Sequence, residues 1–352
     1  MLLNYKYPRF NYFKNIKNFL SKIILFNLEK LRKISLSLGK YQDYFRKKII
    51  IEQNKNINRK KFIRNYDFSD LLKNLDNDKF LPKKIAIVIC FYFNKKNINE
   101  LTKTCRNLKN LGQKIDVTII TNDIKKNKKK FLSRKLKSVL KKFKIISHNI
   151  PEPNLLPWFS ISVMKQKILD KSFSHFLYLE HDILLYKKNL IYWSKFRTIL
   201  KSKNLIPAFL RTEKNKNNEI FVVDAINKID FKNDPKIYIN IKNDGFINNK
   251  NPYQAIYLMD RDLMKEYLNS PASTVDFGFF NQELRSKYPI KELVNVSIAY
   301  FNIPYGYYNR YVIPFTNKKE IPDFCLIEHS SNKYVNLKNK IFSKINIKEL
   351  LR

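Results

Sequence analysis

Glycine is scarce in this 352-residue chain: five occur (Gly39, Gly112, Gly245, Gly278 and Gly306), and no two stand within six residues of each other. Neither a Walker A loop nor a G-x-G-x-x-G dinucleotide turn can be built from that spacing, which removes P-loop NTPases and ordinary NAD- or FAD-dependent oxidoreductases. G-x-S-x-G is absent too, so there is no nucleophile elbow. Three cysteines (Cys90, Cys105, Cys325) and four histidines (His148, His175, His181, His329) form no C-x-x-C pair and no H-E-x-x-H, which excludes zinc ribbons and zincin proteases. An odd, sparse cysteine count fits a reducing compartment. Long apolar runs are missing as well. The nearest, Phe19 to Leu28, is interrupted by Lys22 and followed by Glu29, Lys30, Arg32 and Lys33; it is too short to span a bilayer and has no small-residue cleavage site.

What is abundant is positive charge. Lys and Arg number 69 against 30 Asp and Glu, a net charge of +39. Only 13 of the cations are Arg and 56 are Lys, and Lys arrives with many Asn and Ile, a mixture that A/T-rich codons alone produce. Nucleic-acid readers lean on Arg for bidentate contacts, so nucleic acid is disfavoured as partner. With 44% hydrophobic and 14% aromatic residues, the chain can still bury a substantial core. Residues 1–82 read as a basic helical extension. Leu20, Ile23, Ile24, Asn27, Leu28, Leu31 and Ile34 recur at helical spacing, which suits an anionic bilayer surface and a packing face on the folded domain equally well.

From Lys83 the pattern alternates. Ile85 to Phe93 is a continuous β-prone run, as a strand buried on both faces requires. Ile98, Leu101, Cys105, Leu108 and Leu111 sit three or four apart, a helix closed by Gly112. A second strand over Ile115 to Thr121, a helix over Phe131 to Phe143, a third strand over Lys144 to Asn149 and a helix over Phe159 to Asp170 follow. The unit repeats every thirty residues or so, about the length of a βαβ crossover, which predicts an α/β fold with a mainly parallel, Rossmann-like sheet flanked by helices.

The run Phe176 to Leu185 is apolar except for Glu180, His181 and Asp182. Burying unpaired carboxylates is costly, so this strand needs either a cation or its own end at the sheet edge. In extended conformation Glu180 and Asp182 project to one face, where two carboxylates suit Mn²⁺ or Mg²⁺ and, through the metal, the phosphates of a nucleotide. The ligand edge of such a sheet is the carboxyl end of its strands, which places a nucleotide near Phe91, Asn94, Thr121 and Asp123. This succession of strand, polar end and late acid-x-acid resembles the nucleotide-sugar-binding half of GT-A glycosyltransferases, best over Lys83 to Thr212. Glu180 stands where the common motif has Asp.

The resemblance implies a metal-dependent transferase of hexosyl type that moves a sugar from a nucleotide-sugar donor to a glycan or lipid-linked acceptor in surface polysaccharide or glycoconjugate synthesis. It implies His329 as a third metal ligand beside Glu180 and Asp182, and an acceptor-side base, Glu283 or else Asp276. Lys165, Arg310 and Lys333 are candidates to neutralise the diphosphate, and Trp158, Tyr305 or Tyr307 to shape an acceptor cleft. The organisation expected is a catalytic domain over 83–335, with a donor half at 83–212 and an acceptor half at 213–335, and a basic tail at 336–352. The location expected is cytoplasmic, peripheral at the inner face of the membrane. A nucleotidyltransferase on a similar sheet, or a non-catalytic protein binding nucleic acid or a membrane surface, are the competing readings.

Overall fold

The strand β1 (Lys84–Cys90) is buried at every position after Lys84, and only a sheet covered on both faces accommodates such a run. The computed structural model describes residues 66, 68, 80–109, 111, 114–275, 282–304, 306–337 and 342–352, all within the unit Gln53–Arg352. The stretch Leu20 to Ile34, Asp276 and Tyr305 lie outside the described residues. Parallel to β1 run β2 (Lys114–Asn122) on one side and β4 (His175–Glu180) on the other; β3 (Phe143–His148) continues beyond β2. β11 (Ile256–Asp260) closes the far edge antiparallel to β4, giving the order β11-β4-β1-β2-β3.

The crossovers are α1 (Ile98–Lys109), α2 (Lys126–Lys137) and α3 (Phe159–Lys167). α1 buries Ile98, Leu101, Cys105 and Leu108, the spacing read from the sequence. α2 begins five residues before the expected Phe131. Its first turn, Lys126-Asn127-Lys128-Lys129, has no apolar residue, and only Leu132 and Leu136 are buried, so hydrophobic periodicity could not mark its start.

Two smaller sheets complete the fold. One contains β5 (Ile183–Leu184), β7 (Leu210–Lys214), β8 (Ile220–Val222), β13 (Leu326–His329) and β14 (Ile345–Asn346), in the order β14-β8-β7-β13-β5. The other orders β6 (Ile206–Pro207), β12 (Tyr311–Phe315), β10 (Gly245–Asn248) and β9 (Lys236–Tyr238) as β6-β12-β10-β9. The remaining helices are α4 (Lys187–Leu200), α5 (Arg261–Leu268), α6 (Gln282–Lys287) and α7 (Ile290–Val296).

Three details refine the expected layout. Phe176 to Leu185 is two strands, because the chain turns at His181-Asp182 and leaves the central sheet. The boundary at 212/213 falls inside β7. Within the basic tail the described residues 342–352 are docked: β14 pairs with β8, Leu350 is buried, and Leu351 bridges to Ile229. Ile345 and Leu350 supply enough apolar surface to dock this lysine-containing segment. Among the described residues no helix is long and apolar enough to cross a membrane.

Gly245 stands where β10 meets both neighbours. A Cβ there would lie 2.3 Å from the Ile237 carbonyl oxygen and 2.6 Å from Phe315 Cζ. The backbone oxygen cannot yield cheaply, so Gly245→Ala should lower unfolding free energy by about 1–3 kcal/mol in denaturant melts.

Candidate functional site

β4 ends at Glu180 on the carboxyl edge of the parallel sheet, and α1 braces the turn that follows. Thr104 Oγ1 donates to the His181 carbonyl at 2.7 Å, and Asn107 Oδ1 accepts from Leu185 N at 2.9 Å. Because β13 pairs antiparallel with β5, His329 stands opposite Ile183 and so beside Asp182. Ser330 N donates to the Asp182 carbonyl at 2.9 Å, and Ser330 Oγ to Glu100 at 2.6 Å, tying the two turns and α1 together.

This register builds a buried chain of charge. Asp182 is 3% exposed, His329 0% and Glu213 1%. His329 Nε2 lies 3.0 Å from Asp182 Oδ2, and His329 Nδ1 lies 2.6 Å from Glu213 Oε1. Glu213 also accepts from the Tyr334 and Val335 amides and from Ser343 Oγ. Lys333 Nζ reaches within 3.6 Å of Asp182 Oδ2 from a half-exposed position, and Tyr334 stacks on the imidazole. Burial pushes the Asp182 carboxyl up, but the hydrogen bond and charge of His329 outweigh it and hold it well below the usual carboxylate range. Glu213 is held low in the same way, burial being overcome by His329 and the two backbone amides. Burial pushes His329 down, yet its two carboxylate partners carry it above its ordinary value.

Asp182 Oδ1 is buried and, among the described residues, has no hydrogen-bond partner. A buried carboxylate oxygen without a partner calls for an explanation, and a bound cation is one. A carboxylate on the far imidazole nitrogen is the usual orienting partner of a metal-binding His. Asp182 and His329 therefore fit a divalent cation as half of a ligand set. Among the described residues no three His, Cys, Asp or Glu side chains converge as a ready cage.

Glu180 belongs to a neighbouring network. Tyr253 Oη donates to Glu180 Oε1 at 2.9 Å. Arg211 lies over the Tyr253 ring and makes a buried two-pronged pair with Asp224 at 2.9 and 2.6 Å. Burial, with the charges of Glu180 and Asp224 adding to it, raises the Glu292 carboxyl to about 7. Glu292 sits in the first turn of α7, which Trp158 ties down by donating Nε1–H to the Ile290 carbonyl at 2.7 Å.

The other expected residues distribute as follows. Phe91 is buried with its ring 5.3 Å from His181, and Thr121 is buried beside Asn122. Asn122 Oδ1 accepts from Phe93 N at 2.7 Å, closing the ends of β1 and β2. Asn94 caps the turn Lys95–Asn97, and Asp123 and Lys165 are exposed. Arg310 is engaged by Glu266 at 2.9 Å and by the Asn204 carbonyl at 3.0 Å, so its guanidinium is already paired. Tyr307 is buried and, among the described residues, its hydroxyl has no partner. Glu283 lies in α6, and its side chain is outside what is described. Glu213, Arg211, Asp224, Tyr253 and Glu292 went unread; the charges at alternate positions of Leu210-Arg211-Thr212-Glu213 were the one available signal.

No protein-family model and no curated protein sequence matches the chain. Solved structures that it resembles include glycosyltransferases. The mannosyltransferase PcManGT from Pyrobaculum calidifontis, in complex with GDP-Man and Mn²⁺, aligns over 85% of this chain and 68% of its own, at 10% identity and a TM-score of 0.40. A fragment of TarS from S. aureus aligns over 65% and 57%, at 12% identity and 0.34. An active-site mutant of LgtC aligns over 60% and 69%, at 11% identity and 0.34. At this overlap the likeness concerns the fold alone.

The buried triad makes metal-free stability depend on pH in two directions. His329 is elevated, so its contribution is complete below about 6.5 and is lost as pH rises through the folded value. The depressed carboxylates contribute above about 4 and lose that contribution only as pH falls through their lower folded values. Chelator-treated protein should melt highest at roughly pH 5 to 6.5, and His329→Gln should abolish the alkaline decline; a melting profile of unchanged shape in the variant would contradict the assignment.

Proposed function

We propose that this chain is a glycosyltransferase whose nucleotide-sugar donor is held at the carboxyl edge of the parallel sheet through a divalent cation, Mn²⁺ or Mg²⁺. The observation that carries the reading is the buried Asp182 with an unpartnered oxygen, next to a histidine whose other nitrogen is occupied by Glu213. Asp182 and His329 would hold the cation, with Glu180 as the further carboxylate once Tyr253 releases it. The cation would offset charge on the departing nucleoside diphosphate. Lys333 adds a mobile ammonium on the same side.

The chain's own residues supply the rest. Asn122 fixes the ends of β1 and β2, where the nucleotide would lie beside Phe91, Asn94, Thr121 and Asp123. The acceptor is a glycan or lipid-linked hydroxyl, and the transferred sugar is a hexose. Among Asp276, Glu283 and Glu292 we assign the base to Glu292, because a carboxyl near neutrality loses little driving force in taking a hydroxyl proton. The acceptor oxygen bonds to the anomeric carbon as the glycosyl–phosphate bond breaks; the proton goes to Glu292, and the nucleoside diphosphate leaves with the bonding pair. The anomeric configuration inverts.

A screen of nucleotide sugars for Mn²⁺-dependent thermal stabilisation and diphosphate release should find one preferred donor, and Asp182→Asn should cut turnover about 10²- to 10³-fold. No donor response with either metal would sink the reading. Glu292→Gln should keep donor affinity and lower transfer by about 10²- to 10⁴-fold, and the wild-type rate should rise with pH through an acid limb near 7. Near-normal transfer by that variant returns the role to Glu283 or Asp276.

A further inference from the structure

Between Ile124 and Ile150 the chain carries ten Lys, one Arg and no Asp or Glu. All eleven cations are exposed, and among the described residues none forms an ion pair. The density is local rather than a uniform effect of composition, since residues 261–304 hold five cations and five anions. On α2 the geometry is defined by Leu132 and Leu136, which are buried. At 100° per residue the opposite side presents Lys126, Lys130, Phe131, Arg134 and Lys137. Phe131 is 37% exposed, with Lys135 Nζ 6.0 Å from its ring. The field continues through Lys141 and Lys142 to Lys144 on the edge strand β3.

We propose that this face of α2, with the β3 edge, docks on an anionic bilayer, the lysines meeting lipid headgroups and Phe131 entering the interface. Three features select a lipid surface over nucleic acid. The cations are lysines that act as point charges, not arginines in forks. The face is the convex side of a helix. Its one exposed aromatic lies beside a lysine ammonium on a helix rich in lysine, the composition of an interfacial helix. α2 starts four residues after Asn122 at the carboxyl edge of β2, so docking would bring that edge close to the membrane. The inference does not depend on the catalytic reading, because it uses none of the site residues.

The test is vesicle flotation of the full chain with phosphatidylcholine alone and with about 30% phosphatidylglycerol. The expected result is flotation with anionic vesicles only, lost as salt rises well above about 0.15 M. The triple variant Lys130→Glu, Arg134→Glu, Lys137→Glu should weaken partitioning at least about tenfold, and Phe131→Ser should weaken it less. A control with the same charge change elsewhere, Lys203→Glu, Lys216→Glu, Lys318→Glu, should float like wild type. Equal flotation by the α2 variant, an equal loss in the control, or tighter binding of single-stranded DNA than of anionic vesicles would each overturn the proposal. Circular dichroism and melting of both triple variants should match wild type, since every substituted side chain is exposed.

Discussion

A buried carboxylate must be answered, and in this fold Asp182 is answered on one side only. His329 satisfies Oδ2, while Oδ1 has no hydrogen-bond partner among the described residues. Everything around the turn serves to keep that half-satisfied group in place. Glu213 locks the imidazole, backbone amides of the 334–335 turn lock Glu213, and α1 locks the loop that carries Asp182. Removing one partner from such a set leaves a desolvated charge, which costs far more than the net gain of the intact contact.

The same constraint explains why the second sheet exists where it does. β7 buries two charged residues on one face, Arg211 toward Asp224 and Glu213 toward His329. Arg211 meets Asp224 just beyond the neighbouring β8, whereas Glu213 meets its partner only when the distant β13 pairs with β7. The Arg211–Asp224 pair then underlies Tyr253, which orients Glu180. The two carboxylates of the acid-x-acid element thus sit in adjacent networks, one closed by a tyrosine hydroxyl and one left open.

The central sheet was legible because its strands are apolar runs and its first helix is amphipathic; Ile85 to Cys90 and Ile98 to Leu108 fall where periodicity puts them. Asp182 and His329 were legible as polar residues delivered by apolar strands. The turn at His181-Asp182 was not, because Ile183-Leu184-Leu185 continues the hydrophobic run and only pairing with β13 draws it out of the sheet. Glu213 and Arg211 were hidden for a different reason: a charged strand reads as exposed unless the partners that neutralise it are known. Glu292 carries no signal in its own neighbourhood, since its character comes from burial and from carboxylates more than sixty residues away.

The central claim is that Asp182 and His329 form a cation site, and Mn²⁺ binding tests it without reference to any reaction. Chelator-treated protein titrated with Mn²⁺ beside a nucleoside diphosphate, with free Mn²⁺ followed by paramagnetic resonance, should show one site. Glu213→Gln should weaken it about 10- to 100-fold by releasing the imidazole, and Asp182→Asn should weaken it further. Mn²⁺ bound by Asp182→Asn as tightly as by wild type would contradict the account.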